Sequence, residues 1–452
     1  MTNDRNKLLV DSIKRLLRRK ATSHLKKIVN KTHAADLSLV FRSLPVSDQR
    51  KLLEMITEPE QKGILFSELL LYDDTLLNLI DAMNLDEIVE VLESMQTDDI
   101  ADLIGRLPED KSKAILERMH DEGSEEVEDL LRYGDDTAGG IMVPEFIALR
   151  EDTTARDAVK SLQEEHQDVE MPFYLYVVDE YGRLTGVCSL RQLVLVPPET
   201  PLKDLMTTDV ISVQTGMDQE EVAKLVARYD ILAVPVVDEA NVLVGIVTVD
   251  DVIDIFREEA TEDILKMAGV GEEFIETQSI MRNTRIRVPW LMASFIGGVI
   301  AFFIIGQYES SLQRFAFLAA FIPVIMGMGG NIGTQSSTIV VRGLATGRFS
   351  VRDIWPVVSK ELSVGFILGF IYGLLIAGVA QYQYSIGLAA LSVGLSVLCS
   401  MSIAALIGSL APMFFARINI DPAVATGPFV TTAIDIISVL FYFSIATAFL
   451  GI

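Results

Sequence analysis

The hydrophobic stretch at residues 427–452 reads GPFVTTAIDIISVLFYFSIATAFLGI and contains one charged residue, Asp435. Its length exceeds the roughly 20 residues that a membrane-spanning helix needs. A carboxylate at bilayer depth costs several kcal/mol unless it faces protein, water or a cation. The stretch therefore predicts a membrane helix in which Asp435 is a candidate functional site. The alternative is a charge that a neighbouring helix satisfies.

Charge divides the chain into two portions. The 452 residues include 63 acidic and 38 basic side chains, but residues 288–452 hold only five acids and six bases. Residues 1–287 therefore carry a net charge of −26. Such a field attracts cations and repels nucleic acid, so we expect no nucleic-acid partner. Ordinary acidic solubility is the alternative explanation of this charge.

Five segments of the second portion are apolar enough to predict membrane spans, at residues 288–305, 312–332, 354–380, 386–412 and 427–452. If the N-terminus is cytosolic, the outer loops carry only Arg314, whereas the cytosolic flanks carry Arg282, Arg285, Arg287, Arg342, Arg348, Arg352 and Arg417. This asymmetry follows the positive-inside rule. We expect a multi-pass protein of the cell (inner) membrane, surrounded by lipid, with its C-terminus outside.

The second of these segments has an unusual composition. Residues 327–337 read GMGGNIGTQSS, which is too polar and too rich in glycine for a lipid-facing helix. Irregular backbone at membrane depth is tolerated where it lines a cavity or is buried in protein. We therefore expect a broken segment here, with Asn331, Gln335 and exposed carbonyl groups facing hydrated ions.

Residues 1–133 carry apolar side chains with a helical period, in a short unit that recurs along the chain. Short repeated helices predict a small all-α superhelical array. Asp48, Asp98 and Asp110 fall where we expect helix N-caps. Asp98, Asp99 and Asp102 lie closer together than capping requires, so they are also candidate cation ligands.

Residues 134–250 contain one pattern twice, at a constant offset of 59 residues: VDEYGRLTGVCSL at 178–190 and VDEANVLVGIVTV at 237–249. Each copy predicts a strand, a turn, a second strand and a helix. With VPVVD at 234–238, the pattern resembles a paired CBS domain, an α/β fold. The resemblance implies an adenine nucleotide such as ATP, bound through the Thr-x-x-Asp motif of Thr248 and Asp251. The first copy has Gln192 in place of the Asp, so at most one site is intact.

Seven acidic residues crowd residues 250–263. Those spaced by three and four lie on one face of a helix, with others beside them; the face comprises Asp251, Asp254, Glu258 and Glu262, flanked by Glu259 and Asp263. Like charges at this spacing destabilise a helix unless something neutralises them. Clustered carboxylates suit Mg²⁺ or Ca²⁺, and a solvated acidic face is the alternative.

The order of these parts resembles the MgtE family of magnesium channels. Two motifs strengthen the resemblance: GGNIGTQ at 329–335 followed by VRGL at 341–344, and DPA at 421–423 followed by GP at 427–428 and Asp435. The resemblance covers essentially the whole chain. It implies a multidomain membrane protein with an all-α superhelical N domain (1–133), an α/β tandem CBS pair (134–250), an acidic connecting or plug helix (251–285) and a five-helix transmembrane pore domain (286–452).

The resemblance also implies a homodimeric channel that imports Mg²⁺ down its electrochemical gradient and is shut by cytosolic Mg²⁺. Asp435 matches the selectivity carboxylate of the family, Asp421 matches a second acidic pore position, and Gly427 stands where some members carry a side-chain amide. The matching regulatory ligands are Asp218, Glu220, Asp230, Asp251, Asp254, Glu259, Glu262 and Asp263, with Asp98, Asp99 and Asp102 as N-domain partners.

Two alternatives stay open at this point. One is a CBS-regulated carrier of another divalent cation, and the other is a membrane-anchored cation sensor without transport. We expect no enzyme, because the four histidines are scattered and the chain has no phosphate-binding glycine loop of the P-loop kind.

Overall fold

The structure is a computed structural model that describes residues 2–70, 73–164, 171–270, 280–425 and 427–451. The chain divides into two compact units, Met1–Arg257 and Glu258–Ile452. The boundary falls inside the helix Val249–Met267.

Ten helices account for most of residues 2–70 and 73–130. They are α1 (Thr2–Arg18), α2 (Thr22–Val29), α3 (Ala34–Arg42), α4 (Val46–Leu53), α5 (Pro59–Leu70), α6 (Asp73–Asp81), α7 (Leu85–Leu92), α8 (Thr97–Arg106), α9 (Glu109–Leu116) and α10 (Asp121–Leu130). Each is too short to be stable alone, so the buried apolar stripe holds the array together. Leu37, Phe41, Leu65 and Leu92 of this stripe are completely buried.

The N-cap prediction for the three aspartates is wrong. The N-caps of α4, α8 and α9 are Pro45, Gln96 and Pro108, which precede the helices in extended conformation. Asp48, Asp98 and Asp110 lie one to three residues further on, inside the first turn. There a carboxylate still faces the positive end of the helix dipole, which explains an acid at this point without a capping role.

Two three-stranded sheets follow, with strand orders β1-β2-β3 and β4-β5-β6. The elements are β1 (Ala148–Arg150), α11 (Ala155–Glu164), β2 (Tyr174–Val178), β3 (Leu184–Ser189), α12 (Leu190–Leu195), a 3₁₀ turn (Leu202–Asp204), β4 (Val213–Gln214), α13 (Gln219–Tyr229), β5 (Ala233–Val237), β6 (Leu243–Thr248) and α14 (Val249–Met267). In each sheet the first strand is parallel to the second, and the third is antiparallel.

The register of the two sheets is the same. Tyr174 pairs with Ser189 in the first and Ala233 with Thr248 in the second, which is the offset of 59 residues in the sequence. A bulge falls at Val177/Val178 and again at Val236/Val237. All five residues of β5 are buried, as its unbroken apolar sequence AVPVV leads one to expect.

The second unit consists of long apolar helices. They are α15 (Ile280–Gln307), the short α16 (Glu309–Arg314), α17 (Leu318–Ala345), α18 (Ile354–Tyr384), α19 (Gly387–Arg417), a 3₁₀ turn (Pro422–Ala425) and α20 (Pro428–Leu450). Among the described helices, α15, α18, α19 and α20 are long and apolar enough to cross a membrane. The prediction of a fifth span rests on α17, which has 28 residues but carries the polar glycine-rich stretch.

The structure corrects the prediction of a broken second span. The stretch 327–337 lies within one continuous helix, α17, which begins at Leu318 and extends to Ala345. Its glycines are needed for close packing rather than for irregular backbone: a Cβ at Gly329 would lie 2.6 Å from Ser400 Oγ and 2.9 Å from Ser438 Oγ. Helix α17 therefore packs closely against both α19 and α20.

Small residues also bring α18 against α19. A Cβ at Gly369 would lie 2.9 Å from the carbonyl oxygen of Leu398, and one at Gly373 would lie 2.6 Å from that of Gly394. Close approach of backbones through small residues is the usual way in which membrane helices pack. The predicted packing role of the glycines in α18 is thus confirmed.

Candidate cation sites

The start of α14 is held by a reciprocal cap between Thr248 and Asp251. Asp251 Oδ2 accepts hydrogen bonds from the backbone N–H of Thr248 at 3.3 Å and from its hydroxyl at 2.5 Å. Ser189 and Gln192 form the equivalent capping box in the first sheet unit. The Thr-x-x-Asp motif therefore has a local structural role, whether or not a nucleotide binds.

These contacts do not fit a free nucleotide-binding motif. Thr248 is completely buried and its hydroxyl is already hydrogen-bonded to Asp250 and Asp251. A ribose contact would have to replace the cap. The nucleotide assignment of Thr248 and Asp251 stays a prediction, and no mechanistic step below depends on it.

Carboxylates of the N-terminal helices and of α14 lie close enough to repel each other. Burial raises the pKa of Asp99, and the charges of Asp250 and Asp254 raise it further, against a hydrogen bond with Ser67 and the charge of Arg106. Burial likewise raises the pKa of Asp251 to about 7, and Asp250 and Asp99 add to the effect against the hydrogen bonds from Thr248. A cation placed here would relieve this repulsion, so the donor set fits a hard cation such as Mg²⁺.

Glu68 belongs to the same acidic region and was not recognised in the sequence. Burial raises its pKa, and the charge of Asp254 raises it further, whereas His33 and Arg257 lower it. Glu68 is the only charged residue in the last turn of α5, among Phe66, Leu69 and Leu70. That isolated carboxylate in an apolar segment was the available signal.

The remaining predicted ligands of the first unit are spread along α13. Asp218 caps its start, accepting from the backbone N–H of Glu220 at 2.9 Å, and Glu220 pairs with Lys224 at 2.7 Å. Asp230 ends the helix in left-handed conformation, with φ of 52°. Eleven helical residues separate the two ends by about 16 Å, so Asp218 and Asp230 do not share one ion within this chain.

The N-domain candidates differ in exposure. Asp98 is 8% exposed, Asp99 is half-buried and Asp102 is exposed. Within the described ranges, no three His, Cys, Asp or Glu side chains come close enough together to hold a metal ion. The acids are gathered in one region but do not form a ready-made coordination shell.

Asp435 lies in the middle of α20, facing the glycine-rich part of α17. A Cβ at Gly330 would lie 3.9 Å from Asp435 Oδ1, so the absence of a side chain there leaves the carboxylate accessible. In the part of the chain that the structure describes, Asp435 has no hydrogen bond or ion pair. The alternative of a charge satisfied by a neighbouring helix therefore finds no partner within one chain.

Asn331 and Gln335 are one helical turn apart on α17, and both side chains are exposed. Ile332, Gly333 and Ser336, between and beside them, are buried against the rest of the unit. Exposed amides on a helix at membrane depth require water or a second protein surface. This face of α17 is therefore polar, as predicted, although it belongs to a continuous helix.

The C-terminal end of α14 contacts the segment that leads into α20. Lys266 Nζ lies 2.7 Å from Asp421 Oδ2 and also pairs with Glu262. A Cβ at Gly427 would lie 3.2 Å from the carbonyl oxygen of Met267, and one at Gly269 would lie 2.8 Å from Pro428 Cδ. Asp421 and Gly427, predicted as pore residues, are thus in contact with the acidic helix. Residues 271–279 of the predicted plug lie outside the described residues, and Glu259 and Asp263 are both half-buried on α14.

A second buried acid of the apolar unit, Glu361 on α18, was counted in the sequence only as a charge. It is 6% exposed, and its Oε2 accepts a hydrogen bond from the hydroxyl of Ser336 at 2.9 Å. Its position near the start of the span made it look like a flanking charge. Only the packing of α17 against α18 reveals that it is buried.

Comparison with protein families agrees with these features. The MgtE intracellular N domain matches residues 32–136, the CBS domain matches 138–199 and 202–258, and the MgtE family described as divalent cation transporter matches 322–445. A helical N domain, a CBS pair and a set of apolar helices with an unpaired acid define a membrane transport protein. The chain belongs to the MgtE family, whose members are transporters rather than enzymes.

Individual relatives share most of this length. The magnesium transporter MgtE of Thermus thermophilus is 41% identical over 71% of this chain and 72% of its own. The MgtE of Bacillus subtilis is 40% identical over 72% of each. The crystal structure of the cytosolic domain of the Mg²⁺ channel MgtE in complex with ATP, at 34% identity and a TM-score of 0.51, covers 54% of this chain and 99% of that domain.

Proposed function

We propose that the chain is a Mg²⁺-selective channel that imports magnesium down its electrochemical gradient and is closed by cytosolic Mg²⁺. It acts as a homodimer in the cell (inner) membrane, with a cytosolic N-terminus and an outer C-terminus. The carrying observation is Asp435, a carboxylate without a described partner in an apolar helix. The magnesium transporters among its relatives supply the identity of the ion.

Permeation follows from the residues around Asp435. Mg²⁺ loses its water reluctantly, so a single carboxylate per chain accepts hydrogen bonds from the hydrated ion rather than replacing its whole shell. The amides of Asn331 and Gln335 offer further hydrogen bonds on the polar face of α17. Selection then depends on the charge and size of the hydrated ion.

The dimer follows from what one chain leaves uncovered. Asn331 and Gln335 are exposed, and Asp435 is only half-buried. Polar groups at membrane depth face protein or a water-filled cavity. A second copy that meets the first along this face would enclose a polar pathway between two Asp435 side chains.

Gating follows from helix α14, because one helix carries both the acids near Asp99 and the contact with Asp421 and Gly427. Without bound cations Asp99, Asp250, Asp251 and Asp254 repel each other, which favours separation of α14 from α8. Bound Mg²⁺ supplies the charge that neutralises them. To shift the closed fraction from 1% to 99%, the ion must favour the closed state by about 5.5 kcal/mol.

The test is Mg²⁺ uptake into liposomes that contain the purified full chain. We expect Asp435→Asn to abolish uptake or its selectivity for Mg²⁺ over larger cations, with the dimer intact. Glu361→Gln is the matched control, because it removes another buried carboxylate of the same unit while leaving an acceptor for Ser336. Selective uptake by Asp435→Asn at the wild-type rate would refute the pore assignment. Uptake of Co²⁺ or Ca²⁺ in preference to Mg²⁺ would favour a carrier of another divalent cation, and the absence of any uptake would favour a sensor.

A further inference from the structure

Lys266 occupies a position where the sequence predicts a metal ion. Its ammonium group lies between Glu262 and Asp421, two residues that the family pattern assigns to cation binding. The side chains of Lys266, Glu262 and Asp421 are only 28%, 23% and 33% exposed. Salt and water therefore screen these contacts less than they screen a surface ion pair.

The Asp421 carboxylate is held in a fixed orientation. Its Oδ1 accepts a hydrogen bond from the backbone N–H of Ala423 at 2.7 Å, while Oδ2 faces Lys266 at 2.7 Å. Asp421 thereby also begins the 3₁₀ turn Pro422–Ala425 that precedes α20. The acceptor for Lys266 is therefore rigidly connected to the helix that carries Asp435.

Close packing beside the ion pair joins the same two segments. Gly427 lies against the backbone of Met267, and Gly269, with φ of 72°, lies against Pro428. Neither glycine position leaves room for a side chain without a shift of its neighbour. The ion pair thus spans a contact that is already closely packed, so breaking the pair and separating α14 from α20 are one event.

We propose that Lys266 is the resident cation of the Glu262–Asp421 site and holds α14 against the start of α20 without any metal ion. The inference rests on the proposed function, in which this contact closes the channel. Without Lys266 the two carboxylates would face each other uncompensated. With it, part of the closing free energy is independent of Mg²⁺, and Mg²⁺ gains both carboxylates only by displacing the ammonium group.

The consequence is a basal closed population that a lysine sets and that Mg²⁺ then increases. Ion pairs of this kind contribute on the order of 1 kcal/mol, and 1.4 kcal/mol is a factor of ten in an equilibrium. Removing the ammonium should therefore raise the ratio of open to closed channels about five- to tenfold when internal Mg²⁺ is absent. Lys266 does not line the proposed pathway, so the current through a single open channel should not change.

The experiment is single-channel recording of the full chain in planar bilayers, with a chelator on the cytosolic side and then with graded Mg²⁺. The variants are Lys266→Gln, Lys266→Arg, Asp421→Asn and the double variant Lys266→Gln/Asp421→Asn. The matched control is Lys111→Gln, since Lys111 makes a comparable long-range pair with Asp81 at 2.9 Å and is 25% exposed.

We expect Lys266→Gln to raise the open-to-closed ratio about five- to tenfold in chelator, with unchanged unitary current. Lys266→Arg should restore the wild-type ratio, and Lys111→Gln should keep it. Lys266→Gln should add nothing in the Asp421→Asn background, because the pair is then already broken. A wild-type ratio in Lys266→Gln, in a channel that Mg²⁺ still closes, overturns the inference. A wild-type protein that does not conduct, or that Mg²⁺ does not close, overturns the proposed function instead.

Discussion

Replacing Asp251 with Asn should stabilise the first unit, and more so as the pH rises. Burial raises the pKa of Asp251 from 3.8 to about 7. Between these values the unfolded chain loses the proton while the folded chain keeps it, so the wild type loses stability as the pH rises from about 4 to about 7. A difference of about three pKa units corresponds to about 4 kcal/mol. The Asn side chain avoids this cost and still offers an oxygen to Thr248.

The assay is pulse proteolysis of the full chain in detergent, over a urea gradient, at pH 5 and pH 8. We expect Asp251→Asn to unfold at higher urea than the wild type at pH 8, by up to about 4 kcal/mol, with a smaller difference at pH 5. Asp209→Asn is the control, because Asp209 is exposed and its replacement should change stability by less than about 0.5 kcal/mol.

Magnesium should reverse the ranking of the two proteins. A ligand that binds only the folded state stabilises it in proportion to the logarithm of its concentration above the dissociation constant. The wild type should therefore gain stability on addition of Mg²⁺, and Asp251→Asn should gain less. A pH-independent difference between the two, or an equal gain from Mg²⁺, would refute the repulsion of buried acids on which the gating account depends.

Two further predictions concern packing and a buried thiol. Gly373→Ala should destabilise the apolar unit by about 1–3 kcal/mol, because its Cβ would lie 2.6 Å from the carbonyl oxygen of Gly394; Gly378→Ala on the same helix, where nothing lies within 4 Å, should not, and equal unfolding temperatures of the two variants in detergent would contradict the α18–α19 contact. Cys188 is completely buried, and burial raises its pKa to about 11, so iodoacetamide at pH 8 should modify it only after denaturation, as measured by mass spectrometry. Because the unfolded thiol ionises near pH 9, this group also makes the unit less stable as the pH rises from about 9 to about 11, and rapid modification of the folded protein at pH 8 would exclude such burial.

The sequence predicted the paired sheets well because their pattern is local and occurs twice. The strands β2 and β5 are apolar runs, each followed by a Val-Asp-Glu turn, and the spacing of 59 residues appears again in the strand register. The helical array was also predictable, since each helix carries one apolar stripe. Its caps were not, because a proline before a helix and an aspartate inside its first turn cannot be distinguished by spacing alone.

The glycine-rich stretch was misinterpreted because its role depends on partners far along the chain. Polar residues and glycines within a span suggest irregular backbone, yet Gly329 is helical and packs against Ser400 and Ser438. Nothing in the local sequence shows that α19 and α20 supply small hydroxyl side chains at that depth. The structure supplies this information, and it converts a predicted break into a packing surface.

Among the candidate site residues, the acids were predictable but their pairing was not. The position of Asp435 in an apolar segment singled it out, and the run at 250–263 singled out α14. Lys266 is readable as the base four residues after Glu262, which predicts a helical ion pair. Its second partner, Asp421, belongs to a different segment, so only the fold shows that the lysine stands where a metal ion was expected.

The most direct test of the central claim is Mg²⁺ uptake by the wild-type full chain in liposomes, with an inward gradient and an inside-negative potential, while Mg²⁺ on the cytosolic face is varied. The account predicts rapid uptake without ATP when Mg²⁺ on the cytosolic face is chelated, and suppression of that uptake as Mg²⁺ there rises. Uptake that does not depend on Mg²⁺ at the cytosolic face, or no uptake under any gradient, would contradict it.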